Sequence, residues 1–171
     1  MKGFSQFIRE VPDFPKPGVV FKDITPLLGN PTAFHKVIDE FVRHYKHEAI
    51  DVVTGIEARG FIFATALAYR LGAAFVPIRK KGKLPAETHE TTYELEYGHD
   101  TVEIHKDAFP QHSRVLMCDD LLATGGTLAA SIELVEKLEG DIVGVAVLIE
   151  IPALNGREKI PNYDIFSLMK Y

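Results

Sequence analysis

The sequence predicts an α/β fold, a mostly parallel twisted sheet flanked by helices. Three observations predict it. Strand-like runs rich in Val and Ile recur at 51–55, 73–78, 115–118 and 142–149. Helical patterns fall between them. The runs show no alternating polar face, so both sides of the sheet must be covered.

In chain order, residues 9–29 are Pro- and Gly-rich and read as an irregular excursion. Asn30 then reads as a helix N-cap followed by Pro31 at the first helical position. Phe34, Val37, Ile38, Phe41, Val42 and Tyr45 recur at the spacing of one buried helical face. The short run 51–55 is a buried strand. Residues 61–71 are apolar almost all round and stop at Gly72, as a helix packed on a sheet would. Residues 73–78 form the next strand. Residues 80–106 make a second excursion, with two polar β-like segments at 93–97 and 101–106 around Gly98. An excursion of that length is commonly functional. The strand 115–118 leads into a Gly-rich turn and a helix over 128–138, with Leu128, Ile132, Val135 and Leu138 on one stripe and Gly140 as its stop. The run 142–149 is the fourth strand. Ligands of such sheets bind at the carboxyl ends of strands, so the loops after Gly55, Ile78, Cys118 and Ile149 are where chemistry is expected.

The 171 residues contain no repeat, low-complexity stretch or linker, and suffice for one domain spanning 1–171. The 19 Lys and Arg against 24 Asp and Glu give a net charge of −5, a poor balance for tight non-specific binding to nucleic acid or an anionic membrane. No apolar run approaches the ~18–20 residues that span a bilayer. The first residues lack the basic-then-apolar pattern of a signal peptide, and the single Cys118 suits a reducing compartment. A cytoplasmic protein without nucleic-acid or membrane partners is the expectation. The total conceals a cationic stretch: residues 57–83 carry six Lys and Arg against Glu57, a local +5 that leaves −10 for the remainder. His44 and His47 have a metal-like spacing but fall on the outer side of an amphipathic helix, and read as a solvated face. Cys118 lies in a buried strand with no nucleophile arrangement around it, and reads as core packing.

The most informative stretch is VLMCDDLLATGGT at 115–127. A buried strand delivers Asp119 and Asp120 at its carboxyl end, and Ala123, Thr124, Gly125, Gly126 and Thr127 lead into a helix. The glycines let the backbone approach a ligand, with N–H groups and the helix dipole directed at an anion. Thr124 and Thr127 offer hydroxyls to a phosphate or to the helix end. The turn has no lysine, so it is not a G-x-x-x-x-G-K-[ST] loop, and G-x-G-x-x-G is absent. It suits one monophosphate. Carboxylates beside a phosphate repel it unless they contact something else, and sugar hydroxyls with a divalent cation nearby are their natural partners.

DDLLATGGT after a hydrophobic strand resembles the 5-phosphoribosyl-1-pyrophosphate (PRPP) motif of the type I phosphoribosyltransferases. PDFPKPGVVFKDITPLL at 12–28, GIEARGF at 55–61, VPIRKKGKLP at 76–85 and YELEYG at 93–98 narrow the resemblance to the adenine phosphoribosyltransferases, from about residue 9 onward. The resemblance implies the type I phosphoribosyltransferase fold, with a base-binding hood at about 1–30 and a flexible catalytic loop at about 79–106. It implies Mg²⁺-dependent transfer from PRPP to adenine, giving AMP and pyrophosphate in purine salvage, by a cytoplasmic homodimer.

Residue by residue, it implies that Ala123, Thr124, Gly125, Gly126 and Thr127 hold the 5′-phosphate, and that Asp119 and Asp120 hold the ribose hydroxyls. Arg59, Arg79, Lys80 and Lys81 would bind pyrophosphate. Phe21 would stack on adenine, with backbone groups of Val20 and Lys22 at its N6/N1 edge and Leu121 on its other face. Lys22 stands where many members have arginine. Mg²⁺ would be held mainly by PRPP and water, without a protein cage. Glu96 matches the proposed general acid/base and Tyr97 its neighbour in the closing loop, with Arg59 completing the catalytic set. Glu94 alternates with Leu95 on the same segment, so the residues alone leave Glu94 and Glu96 open; the LEYG match selects Glu96. Transfer to another base, and a PRPP-sensing regulator without catalysis, are the competing readings. The segment 12–28 favours adenine, and Arg59, the basic run 79–81 and Glu96 favour an enzyme. Met117-Cys118 and residues 64–66 depart from the family pattern only within apolar packing segments.

Overall fold

The computed structural model describes residues 3–94 and 98–171. Its elements are β1 (Arg9–Pro12), β2 (Val20–Asp23), α1 (Thr25–Leu28), α2 (Pro31–Tyr45), β3 (Val52–Ile56), α3 (Gly60–Leu71) and β4 (Ala74–Lys80). There follow β5 (Thr88–Glu94), β6 (His99–His105), β7 (Arg114–Leu122), α4 (Gly126–Lys137), β8 (Asp141–Glu150) and β9 (Ile165–Lys170). The Asn30 side chain accepts from the Ala33 N–H at 2.9 Å with Pro31 in the first turn, and α2 buries Val37, Ile38, Phe41 and Tyr45 on one face. α3 ends on Gly72 at φ 70°, a left-handed conformation that glycine adopts without steric cost. α4 stops differently from the expectation. Its left-handed residue is Glu139 (φ 55°), and Gly140 is required by packing, since a Cβ there would lie 2.8 Å from Val135 Cγ1.

The main sheet runs β5-β6-β4-β3-β7-β8-β9. β4, β3, β7, β8 and β9 are parallel neighbours, and β5 and β6 are antiparallel. The excursion read at 80–106 is therefore part of the sheet. Its strands pair as a hairpin from Thr88↔His105 to Glu94↔His99, so ladder pairing, not polarity, sets their ends. Residues 9–29 also hold structure, since β1 and β2 pair as a separate two-stranded ladder. β9 extends the opposite edge through an IFSLMK segment whose apolar content was the available signal.

Along β7 the side chains alternate between two cores. Val115 and Met117 pack with α4, while Leu116 and Cys118 pack with α2 and α3, the period-2 pattern of a strand covered on both faces. β7 continues well past 118, because its pairing with β8 runs to Leu122↔Glu150. From β3 the chain adds β4 on one side and later β7 on the other. The gap between the carboxyl ends of β3 and β7 is the topological switch point of the sheet.

Candidate active site

A cavity of about 380 Å³ opens at that switch point. The loop after β3 supplies Glu57, Ala58 and Arg59, β4 supplies Lys80, and the end of β7 with the turn after it supplies residues 119–127. Asp119, Asp120, Leu121, Ala123, Thr124, Gly125, Gly126 and Thr127 thus meet Arg59 and Lys80 around one space. Tyr93 and Asp100 from the hairpin complete the wall.

The turn is shaped by close packing. Gly125 takes φ 78° at the N-cap of α4, with no side-chain cap, so neither threonine caps the helix. A Cβ on Gly125 would lie 2.3 Å from the Gly156 carbonyl oxygen, and a Cβ on Gly156 would lie 2.3 Å from the Ala123 carbonyl oxygen. Two glycines 31 positions apart thus press the 3₁₀ turn Gly156–Lys159 against the underside of the turn 123–127. That turn is pinned by Arg157, which donates to both carboxylate oxygens of Glu150 at 2.6 and 2.8 Å. Ser167 also donates to Glu150. Arg157 first, with help from Ser167 and against the effect of burial, holds the Glu150 carboxyl down at about 2.

Asp119 and Asp120 sit side by side. The Asp120 N–H donates to Asp119 Oδ1 at 2.8 Å. Gly60 at the start of α3 lies so close that a Cβ would be 2.8 Å from the same oxygen. Burial pushes both carboxyls above the usual carboxylate range; the Asp120 charge adds to the effect on Asp119, and Arg59 opposes both. Arg59 Nη2 is 2.9 Å from Asp120 Oδ2, but the geometry makes no hydrogen bond, and this buried oxygen has no donor among the described residues. A buried acceptor without a donor carries a cost that an incoming hydroxyl removes.

The Arg59 guanidinium also lies over the Phe21 ring, 5.0 Å from its centroid. That contact links the cavity to the β1–β2 ladder, whose Val20, Phe21 and Lys22 do not line it. Phe21 meets Phe14 edge-on at 5.2 Å, and Phe14 and Val20 are exposed. The Lys22 side chain is turned away from the cavity: its ammonium pairs with Glu10 and lies 4.3 Å over the Tyr171 ring.

The basic run divides by strand alternation. Lys80 faces the cavity, while Arg79 and Lys81 do not reach its wall. Arg79 pairs with Glu57 at 3.2 Å and Lys81 with Glu90 at 2.7 Å. Glu57, a residue the sequence reading passed over in favour of Arg59, also accepts from the Lys80 N–H and the Lys83 ammonium. Burial works to raise its carboxyl, but the hydrogen bonds from Lys83, Lys80 and Arg79 outweigh it and hold the group below the usual range. Lys80 itself bonds Asp100 Oδ2 at 2.8 Å. The Tyr93 hydroxyl donates to the same oxygen at 3.4 Å and also meets the Thr127 hydroxyl. Glu96 and Tyr97 lie outside the described residues. His44 is exposed, as expected, and stacks on Phe166 at 3.8 Å. Among the described residues no three His, Cys, Asp or Glu side chains converge as a metal group.

Residues 25–170 match the phosphoribosyl transferase domain family. The chain is 56% identical over 171 residues to the adenine phosphoribosyltransferase of Solibacter usitatus, covering 100% of this chain and 99% of that protein. Among solved structures, the adenine phosphoribosyltransferase of Thermoanaerobacter pseudethanolicus superposes with a TM-score of 0.96 at 52% identity, covering 98% of each chain. The Saccharomyces cerevisiae enzyme, solved with an imino-altritol bisphosphate and adenine, gives 0.92 at 43% identity over 96% of each chain.

Proposed function

The chain belongs to the phosphoribosyl transferase family, and from that premise we infer that it is an adenine phosphoribosyltransferase of purine salvage. It transfers the 5-phosphoribosyl group of PRPP to adenine, releasing AMP and pyrophosphate. One observation carries the reading to the residues: the phosphate turn, the Asp119–Asp120 pair and Arg59 share a single cavity, and Arg59 touches Phe21.

In this reading the turn of residues 123–127 grips the 5′-phosphate with backbone N–H groups at the start of α4. The ribose hydroxyls donate to Asp119 and Asp120 and supply the donor that Asp120 Oδ2 lacks. Arg59 and Lys80 turn to the pyrophosphate, with Arg79 and Lys81 held in reserve behind Glu57 and Glu90. When Arg59 leaves Phe21, the ring face it covered becomes available to adenine. The edge of β2 away from β1, without a strand partner among the described residues, offers backbone groups to the base, and Leu121 flanks it from the cavity side. Lys22 contributes its backbone alone, which is why lysine serves where arginine is common. Glu96, on the resemblance of its LEYG segment, takes the proton that adenine loses as positive charge develops on the ribose; such a group is worth ~10²–10⁴-fold.

The donor set at the cavity suits Mg²⁺: two adjacent carboxylates and room for water, without a closed cage. Asp119 and Asp120 are the residues that would face the ion, which neutralises charge on PRPP and its leaving pyrophosphate. A homodimer is supported by α3, where Ile62 and Tyr69, two turns apart, stand 37% and 86% exposed. The lone buried Cys118 suits the cytoplasm, and among the described residues no helix is long and apolar enough to cross a membrane.

The test is product detection. Incubation with adenine, PRPP and Mg²⁺ yields AMP and pyrophosphate in equal amounts, and omission of any one component stops it. Absence of AMP from the complete mixture contradicts the reading.

A further inference from the structure

Every cation of the basic run is paired with a carboxylate of the chain: Arg79 and Lys83 with Glu57, Lys81 with Glu90, and Lys80 with Asp100. These pairs differ in kind. Glu57 holds three donors and builds the loop after β3. Asp100 comes from β6 of the hairpin and reaches into the cavity, where Lys80 is the one cation of the run on the wall among the described residues. Its Oδ2 takes the Lys80 ammonium at 2.8 Å, while Oδ1 is held by the Thr101 N–H at 2.8 Å. A carboxylate there presents the same kind of oxygen to the same ammonium as a phosphate would. It also places a negative charge beside any anion that enters.

We propose that Asp100 is an internal competitor of the pyrophosphate group. Its carboxylate occupies Lys80, a pyrophosphate-bearing ligand displaces it, and it retakes the ammonium as pyrophosphate leaves. The proposal rests on the reading of this cavity as the PRPP site. It makes Asp100 a positioning residue, acting through Lys80 and not on the reacting atoms. The pair is partly exposed, at 53% and 26%, so the competition is moderate.

The test is calorimetric titration of the full chain with Mg²⁺-pyrophosphate, together with KM for each substrate. Asp100→Asn and Asp100→Ala are expected to bind pyrophosphate roughly two- to fivefold tighter, the span of partly exposed ion pairs. KM for PRPP falls by a similar factor, KM for adenine does not move, and Asp100→Glu returns the affinity to that of the parent. Structural damage weakens binding, so a gain in affinity separates competition from a merely structural role. Glu87→Gln, which breaks the Lys106 pair at the far end of the hairpin, changes neither constant. Unchanged or weaker pyrophosphate binding in both Asp100→Asn and Asp100→Ala overturns the proposal. A parent protein that binds no pyrophosphate and forms no AMP overturns instead the functional reading on which it rests.

Discussion

Gly156 lies 31 positions beyond Gly125, yet its close packing under the turn 123–127 predicts, with that turn proposed as the phosphate site, that it controls PRPP binding. A methyl group at Gly156 would stand 2.3 Å from the Ala123 carbonyl oxygen, 2.7 Å from Leu122 Cδ1 and 3.1 Å from the Gly125 nitrogen. Ordinary contact begins at 3.4 Å, so about 1.1 Å must be found against the carbonyl. The 3₁₀ turn cannot retreat easily, because Arg157 is clamped to Glu150 and to the Ile165 carbonyl. The phosphate turn has to move. A displacement of ~1 Å in a positioning element costs up to ~10²-fold, and overpacking costs about 1–3 kcal/mol of stability. Gly156→Ala is therefore expected to lower kcat/KM for PRPP by ~10- to 100-fold, with KM for adenine at saturating PRPP nearly unchanged. Initial rates against each substrate, with a thermal unfolding curve, measure both effects. Parental kcat/KM for PRPP in a fully folded Gly156→Ala protein would refute the reasoning.

Other consequences are independent. The Arg157 clamp holds the Glu150 carboxyl down at about 2, below the ordinary carboxylate value of 4.5. Its stabilisation is complete above pH 4.5 and is lost as pH falls through 2. Glu150→Gln should cost about 2–3 kcal/mol at neutral pH and flatten the acid limb of a urea-unfolding series; a parental acid limb counts against the clamp. Asp119→Asn should raise KM for PRPP ~10-fold or more, the worth of a charged hydrogen bond, whereas Glu96→Gln should chiefly lower kcat by ~10²-fold or more. Equal small effects contradict those roles. In the proposed roles, ribose hydroxyls donating to Asp119 and Asp120 would favour their ionised forms, against the burial that raises both carboxyls. AMP binding at mildly acidic pH should thus release protons, read by calorimetry in buffers of different ionisation enthalpy; net uptake is the contrary result. Lys22→Met should leave KM for adenine within about twofold, because the side chain serves Glu10 and Tyr171, and a larger rise in steady-state KM assigns it to the base.

What the sequence made legible was whatever depends on local pattern. The N-cap of α2, the stop of α3 and the double-faced burial of β7 follow from spacing and from residue chemistry at single positions. The turn at 123–127 was legible as a strand-to-helix turn because its glycines and hydroxyls are contiguous. Long-range pairing was not. Nothing near Gly156 signals that it supports the turn, and the polar hairpin is bound to the sheet by a register with β4 that composition does not reveal. The −5 total concealed a cationic run, and the fold conceals it a second time, since Glu57, Glu90 and Asp100 neutralise it residue by residue. Glu57 and Asp100 were missed because their partners are 20 to 26 positions away. For Glu57 the available signal was a carboxylate in the same strand-end loop as Arg59.

The most direct test of the central claim is base selectivity. With saturating PRPP and Mg²⁺, kcat/KM is to be measured for adenine, hypoxanthine and guanine in parallel. The structure and its relatives predict that adenine is converted to AMP with kcat/KM at least ~10²-fold above either 6-oxopurine, more than an apolar pocket alone achieves and within reach of a site that hydrogen-bonds its substrate. Equal use of the three bases, or a preference for a 6-oxopurine, would contradict it.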